Sequence, residues 1–257
     1  MTQENKVKIY HLIILDNSIS MSHLTMQTIE GVNTQFESMR ADVKEFENQE
    51  HIACLVMFGH EVKYTIWKKP VSTLEDLTNK TYIANGGSTA LCDAIGGGIN
   101  GLRNEIVEDL KNEDTKVFVS IFTDGQENSS REFTKTDCKE LVQEVQETGQ
   151  WVVTMVGCEE NVFEEAESLG ISQGNTVKYA RSAVGTQVAM SHLSRARHKM
   201  SDDLSKGLYD AETTMSYMAD TADVSQTSDD SPDLDINMTI DAGNLINKAD
   251  TETEDNE

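Results

Sequence analysis

Four short runs of this chain are apolar at almost every position: Ile9 to Leu15, Ile52 to Phe58, Val117 to Phe122 and Trp151 to Val156. A strand with one wet face alternates apolar and polar residues. A run that is apolar throughout is buried on both faces, as in a parallel sheet covered by helices on each side. The segments between the runs have helical spacing. Ile29, Val32, Phe36, Met39, Val43 and Phe46 recur at steps of three and four, the stripe of an amphipathic helix. A second helix begins near Thr89, with Leu91, Ile95, Ile99, Leu102 and Ile106 on one face. Further helices are expected over Phe133 to Thr148 and Asn161 to Leu169, and a closing one carries Val184, Val188, Leu193, Ala196 and Met200. Strands alternating with helices predict an α/β, doubly wound, mostly parallel sheet. Gly59-His60 reads as a tight turn into Val62 to Trp67, an antiparallel partner at the sheet edge ended by Pro70, and Thr176 to Tyr179 as the last strand.

The loops that follow these strands carry the chemistry. The first strand ends in Asp16-Asn17-Ser18-Ile19-Ser20, an acid and two alternating hydroxyls. Thr89 closes the loop Gly86-Gly87-Ser88-Thr89 at the mouth of the second helix, and Asp124 follows the third apolar run in Thr123-Asp124-Gly125. Taken singly, Asp and Ser after a strand are ordinary turn formers and helix caps. Together they are five oxygen donors at strand or helix ends, the ligand type of hard divalent cations such as Mg²⁺.

The order DxSxS, then Thr after a Gly-rich loop, then TDG resembles the metal-ion-dependent adhesion site of von Willebrand factor A domains, over about Lys6 to Met200. The resemblance implies a six-stranded doubly wound sheet. It also implies an Mg²⁺ or Mn²⁺ ion held by the hydroxyls of Ser18, Ser20 and Thr89, with Asp16 and Asp124 acting directly or through water. One coordination position would stay open for an Asp or Glu carboxylate of a protein partner. Intracellular bacterial relatives work beside ATPases or in stress-response sets with kinases and phosphatases, among them the tellurium-resistance type, and the same setting is expected here. The expected function is metal-dependent protein binding without catalysis.

Composition limits the rivals. With a net charge of −24, the chain is a poor match for a nucleic-acid backbone. Cys54, Cys92, Cys138 and Cys158 show no zinc spacing, and Cys54 and Cys158 read as small buried residues. The polar start and the absence of a long apolar stretch lead to an expectation of a cytoplasmic protein. A phosphatase of the haloacid dehalogenase type needs a second Asp where Ser18 stands, and no P-loop occurs. A metal-dependent phosphohydrolase is therefore the weaker alternative. Gly96-Gly97-Gly98 does not follow a strand and so makes no dinucleotide loop; close approach of that helix to the sheet is expected instead. His23 reads as a surface or capping residue. The group His192, Arg195, Arg197, His198 and Lys199 reads as a solvated helix face. Asp93 is either an acceptor behind the metal ligands or an exposed carboxylate.

From Ser201 on, Ser, Thr, Asp and Glu dominate, with Lys206 and Lys248 the remaining basic residues. Such a segment buries too little apolar surface to order itself. The division expected is therefore a domain over 1–200 and an acidic, largely disordered tail over 201–257. An apolar island at 234–246, containing Leu234, Ile236, Met238, Ile240 and Leu245-Ile246, is a possible docking peptide. A scaffold protein working through that tail, with the metal loop purely structural, is the other alternative.

Overall fold

The four apolar runs become the four central strands of one sheet. The computed structural model describes residues 6–158, 161–210 and 215–218. Its strands are β1 (Val7–Asp16), β2 (Gln49–Phe58), β3 (Val62–Pro70), β4 (Lys116–Thr123), β5 (Trp151–Gly157) and β6 (Thr176–Lys178). They lie in the order β3-β2-β1-β4-β5-β6, with β3 the antiparallel edge strand and every other pairing parallel. The sheet is thus the expected six-stranded α/β arrangement, with helices on both faces.

Alternate side chains of each strand enter different cores. Ile9, Ile13, Leu15, Leu55, Met57, Phe118 and Phe122 pack beneath α1 (Thr25–Glu45) and α5 (Ala183–Ser205). Leu12, Ile14, Val56, Val119, Ile121 and Val153 face α2 (Leu91–Glu105), α3 (Lys135–Glu147) and α4 (Val162–Ser168). Filling both faces is why these strands lack polar alternation.

The topology fixes where loops can meet. From β1 the chain crosses to β2 on one side, while the later half of the sheet grows on the other. The direction of winding reverses between the adjacent strands β1 and β4, where Leu15 pairs with Phe122. In doubly wound sheets the crevice at such a switch point, beyond the carboxyl ends of the strands, is where ligands bind. Asp16 and Asp124 stand at the two lips of it.

Three expectations change in three dimensions. Of Gly96, Gly97 and Gly98, the last meets Leu12, Ile14 and Val56 of the sheet and Gly97 meets Tyr64 on the edge strand β3, while Gly96 meets Phe133 instead. A Cβ on Gly96 would lie 2.3 Å from the Phe133 ring, and one on Gly97 2.8 Å from the Tyr64 hydroxyl, so those two make room for side chains. The basic group on the closing helix is solvated only in part: Arg195 is exposed and His198 and Lys199 are half-buried, but two of its members are buried. Arg197 is 1% exposed and bonds Gln35 on α1, and its guanidinium lies 3.6 Å from the equally buried Asp42, while His192 is also buried. Packing also runs past residue 200. Tyr209 donates its hydroxyl to the Gly149 carbonyl (2.9 Å), and Tyr217 and Met218 are fully buried in the core under α5. The apolar island at 234–246 and most of the acidic segment lie outside the described residues. Among the described residues no helix is long and apolar enough to cross a membrane, and Cys54, Cys92 and Cys138 are buried free thiols.

Candidate metal centre

β1 delivers Asp16 at its last position, fully buried. Its two carboxylate oxygens are held from different sides. Oδ1 accepts the Ser18 N–H (2.7 Å), and Oδ2 accepts the Thr123 hydroxyl from the end of β4 (2.6 Å). The first bond tightens the loop so that Ser18 and Ser20 turn to the same side. The second ties the two strand ends across the switch point. Tyr82, fully buried, donates its hydroxyl to the Asp16 carbonyl (2.8 Å) and clamps the same end from behind.

The hydroxyls then form a directed chain. The Ser20 hydroxyl donates to Asp124 Oδ1 (2.6 Å), and the Ser18 and Ser20 oxygens are 2.8 Å apart. A serine has one hydroxyl proton, and that of Ser20 is committed to Asp124. Ser18 is therefore the donor to Ser20.

Thr89 arrives from a third segment. The loop before it is stitched to β1 and β2 through their backbones: Gly86 N–H to the Asn17 carbonyl (2.9 Å), Ile19 N–H to the Gly87 carbonyl (3.1 Å) and Ala90 N–H to the Gly59 carbonyl (2.8 Å). The approach is so close that a Cβ on Gly59 would sit 2.6 Å from the Gly86 backbone, which is why glycine stands there. Thr89 is held by its N–H to Asn128 Oδ1 (2.9 Å). A Cβ on Gly125 would lie 3.3 Å from the Thr89 hydroxyl oxygen and 3.9 Å from that of Ser20. Both hydroxyls therefore face one small space that the missing side chain of Gly125 leaves open.

Asp124 is also fully buried. Beyond Ser20, its Oδ2 accepts the Arg181 guanidinium at 2.9 Å, and its carbonyl accepts the same Nη2 at 2.7 Å. Burial raises the Asp16 carboxyl above its ordinary value; the bonds from Ser18 and Thr123 oppose that shift and the nearby Asp124 adds to it. Two acids buried side by side are costly unless a cation neutralises them. The donors are five oxygens from three loops, and among the described residues no group of three or more His, Cys, Asp or Glu side chains could hold a metal ion by itself. A set rich in hydroxyl and lacking imidazole and thiolate fits Mg²⁺ or Mn²⁺ chemistry.

The five residues read from the sequence are thus brought to one place. Three others were not foreseen. Thr123 could have been suspected, because it is part of the TDG triplet. Tyr82 and Arg181 carry no local signal. Asp93 is neither of the roles expected: it accepts the backbone N–H groups of Arg131, Glu132 and Phe133, each at 2.8 Å, and so shapes the loop before α3. His23 is exposed on a short 3₁₀ turn.

No protein-family model matches the chain, and no curated protein matches it in sequence. Solved structures do. One is proximal thread matrix protein 1 from the mussel byssus with a zinc-occupied MIDAS motif (TM-score 0.46, 17% identity, covering 75% of this chain and 48% of that one). Another is the ArnB paralog VWA2 from Sulfolobus acidocaldarius (TM-score 0.45, 15% identity, 75% and 46%). A third is a von Willebrand factor type A protein from Catenulispora acidiphila (TM-score 0.42, 12% identity, 74% and 42%). The chain spans about half the length of the structures it matches.

Proposed function

We propose that this chain is a von Willebrand A-type, metal-dependent protein-binding module that performs no chemistry of its own. One observation carries the reading: the hydroxyls of Ser18, Ser20 and Thr89 and the carboxylates of Asp16 and Asp124 converge from three loops on the crevice between β1 and β4. These are the residues that would hold Mg²⁺ or Mn²⁺. Such an ion, when bound among largely neutral ligands, supplies an electrophilic position that an incoming Asp or Glu carboxylate completes.

The chain's own residues prepare that position. Thr123 and the Ser18 N–H keep both oxygens of Asp16 occupied, so Asp16 orients the loop more than it faces the ligand. The hydrogen bonds run from Ser18 through Ser20 to Asp124, leaving the lone pairs of Ser18 and the second lone pair of Ser20 to a cation. Gly125 keeps the space open, and Tyr82 and Asn128 hold its walls. The partner we infer is an acidic surface of another protein, and the compartment the cytoplasm, in an assembly of the stress-response or ATPase- and kinase-associated kind.

Titration calorimetry tests the metal step. Mg²⁺ and Mn²⁺ should bind the wild type at one site, and Asp124→Asn, which preserves size, should lose that heat while keeping its circular dichroism spectrum. Unchanged titrations in Asp124→Asn would refute the assignment. Affinity purification in Mg²⁺ and in chelator, read by mass spectrometry, tests the partner step: a protein retained only with metal is the expected result.

A further inference from the structure

We propose that Arg181 sets how tightly the centre holds its cation, by keeping a fixed positive charge on the outer oxygen of Asp124. The inference rests on the metal-centre reading above and adds a residue that acts through Asp124, a positioning residue and not a ligand.

Arg181 is not a loose surface arm. It lies between β6 and α5, in a segment fixed on both sides. Tyr179 donates its N–H to the Gly157 carbonyl (3.0 Å) and stacks on Phe122, two residues before Asp124. Ser182 caps α5 by accepting the Gly185 N–H at 3.0 Å. From there one guanidinium nitrogen is shared between the Asp124 carbonyl (2.7 Å) and Oδ2 (2.9 Å).

Two consequences follow. Asp124 has two oxygens, and Arg181 occupies Oδ2 while Ser20 reaches Oδ1, so only Oδ1 faces the hydroxyl cluster. The carboxylate is thereby restricted to one-oxygen contact. The second consequence is charge. Asp16 and Asp124 bring two negative charges to the crevice, and the guanidinium offsets one of them at hydrogen-bond distance. A cation entering beside Oδ1 meets that positive charge a few ångströms away. Its repulsion is discounted by solvent, since the Arg181 side chain is 42% exposed; even so, an interaction at this range survives in a high effective dielectric. The weaker grip has a use: a cation less fully neutralised by its own site attracts a partner's carboxylate more strongly.

If Arg181 merely satisfied a buried acid, removing it would loosen Asp124 and weaken the metal. The proposal requires the opposite sign. Mn²⁺ alone is titrated by calorimetry into full-length wild type, Arg181→Gln and Arg181→Lys, at low and high salt. Arg181→Gln should bind Mn²⁺ about tenfold more tightly than wild type at low salt. The gap should shrink to about threefold at high salt, as screening removes the repulsion. Arg181→Lys, which keeps the charge, should stay near wild type. Arg181→Met carries the same expectation as Gln, so a Gln variant that melts early does not decide the matter. A folded neutral variant that binds Mn²⁺ no more tightly than wild type overturns the role of Arg181 and leaves the metal centre standing. Wild type and neutral variant both silent at millimolar Mn²⁺ overturn the centre, and this inference with it.

Discussion

Two acid–base pairs, one just past the end of β4 and one between α1 and α5, sit in surroundings that make them different devices. At the strand's end, Asp124 is sealed but its partner Arg181 is 42% exposed. Under α5, Asp42 and Arg197 are both sealed, at 2% and 1%. The first pair opens onto a crevice where every carboxylate oxygen has a short partner. The second sits in a seam of buried polar groups with His11, His51, Gln35 and Gln49. There His11 Nδ1, His51 Nε2, Asp42 Oδ2, Gln49 Oε1 and two nitrogens of Arg197 lack a hydrogen-bond partner among the described residues. A pair with one wet member can rearrange at modest cost; a pair with two dry members leaves a bare buried charge when it breaks. On the proposed function the crevice is the place for reversible binding, whereas the seam is a structural clasp between α1 and α5.

The largest expected effect breaks the clasp. Asp42→Ala leaves Arg197 buried without a counter-ion, and loss of one partner of a sealed pair costs about 3–5 kcal/mol. His198, whose Nδ1 lies 2.7 Å from Asp42, loses its partner as well. Urea denaturation should show that loss with Mn²⁺ affinity unchanged in the folded fraction. A cost below about 1 kcal/mol, the range of an exposed pair, would erase the contrast between the two regions.

Acid should reach the clasp next. Burial, with Arg197 nearby, holds His51 down to about 4 against the pull of Asp42, and burial with His51 and Arg197 beside it keeps His11 well below its ordinary value. Both rings are therefore neutral in the fold and take up protons near pH 6.5 once the chain unfolds. Above pH 6.5 they add no pH dependence. As pH falls from 6.5 toward 4 the unfolded state binds the extra protons, and stability drops by up to about 1.4 kcal/mol per pH unit for each ring. Comparison of wild type with His51→Gln by denaturation across this window isolates the effect: the variant's profile should be flatter. Parallel profiles would place the acid sensitivity elsewhere.

The smallest effect on stability, and a sharp one on binding, is expected at the crevice. Gly125→Ala puts a methyl group 3.3 Å from the Thr89 hydroxyl oxygen. A shift of a few tenths of an ångström accommodates it, so the unfolding free energy should move by less than about 1 kcal/mol. The cation space is filled, and Mn²⁺ affinity should fall about tenfold or more, which is about 1.4 kcal/mol. Calorimetry beside a thermal melt checks both halves. Equal affinity in wild type and Gly125→Ala would mean that the cation does not lie beside Gly125.

These differences mark where the sequence was readable. The crevice was legible because its donors sit in short local strings: Asp16, Ser18 and Ser20 within five residues, Asp124 in a triplet, and Thr89 after a glycine loop. The two acidic strings follow apolar runs and Thr89 opens a helical stripe, and strand ends on one side of a parallel sheet must share a face. The seam was not legible. On α5, charges at 195, 197, 198 and 199 look like any wet helix face. Whether Arg197 is dry depends on Gln35 and Asp42, more than 150 residues earlier.

The same division holds for the whole chain. Runs apolar on both faces dictated the parallel sheet, and the helical stripes between them dictated the layers, because burial is written residue by residue into hydrophobic period. The oxygen donors and their order were equally written there. Only the tertiary structure decided that winding reverses between β1 and β4, so that Asp16 and Asp124 meet. It alone brought Tyr82 behind Asp16 and Arg181 onto Asp124, contacts spanning 66 and 57 residues. It alone carried the core on to Tyr217 and Met218, in a stretch whose composition predicts disorder. The physical reason is common to all three. Periodicity records which face a residue prefers, whereas a long-range partner is chosen by the packing of segments that share no local pattern.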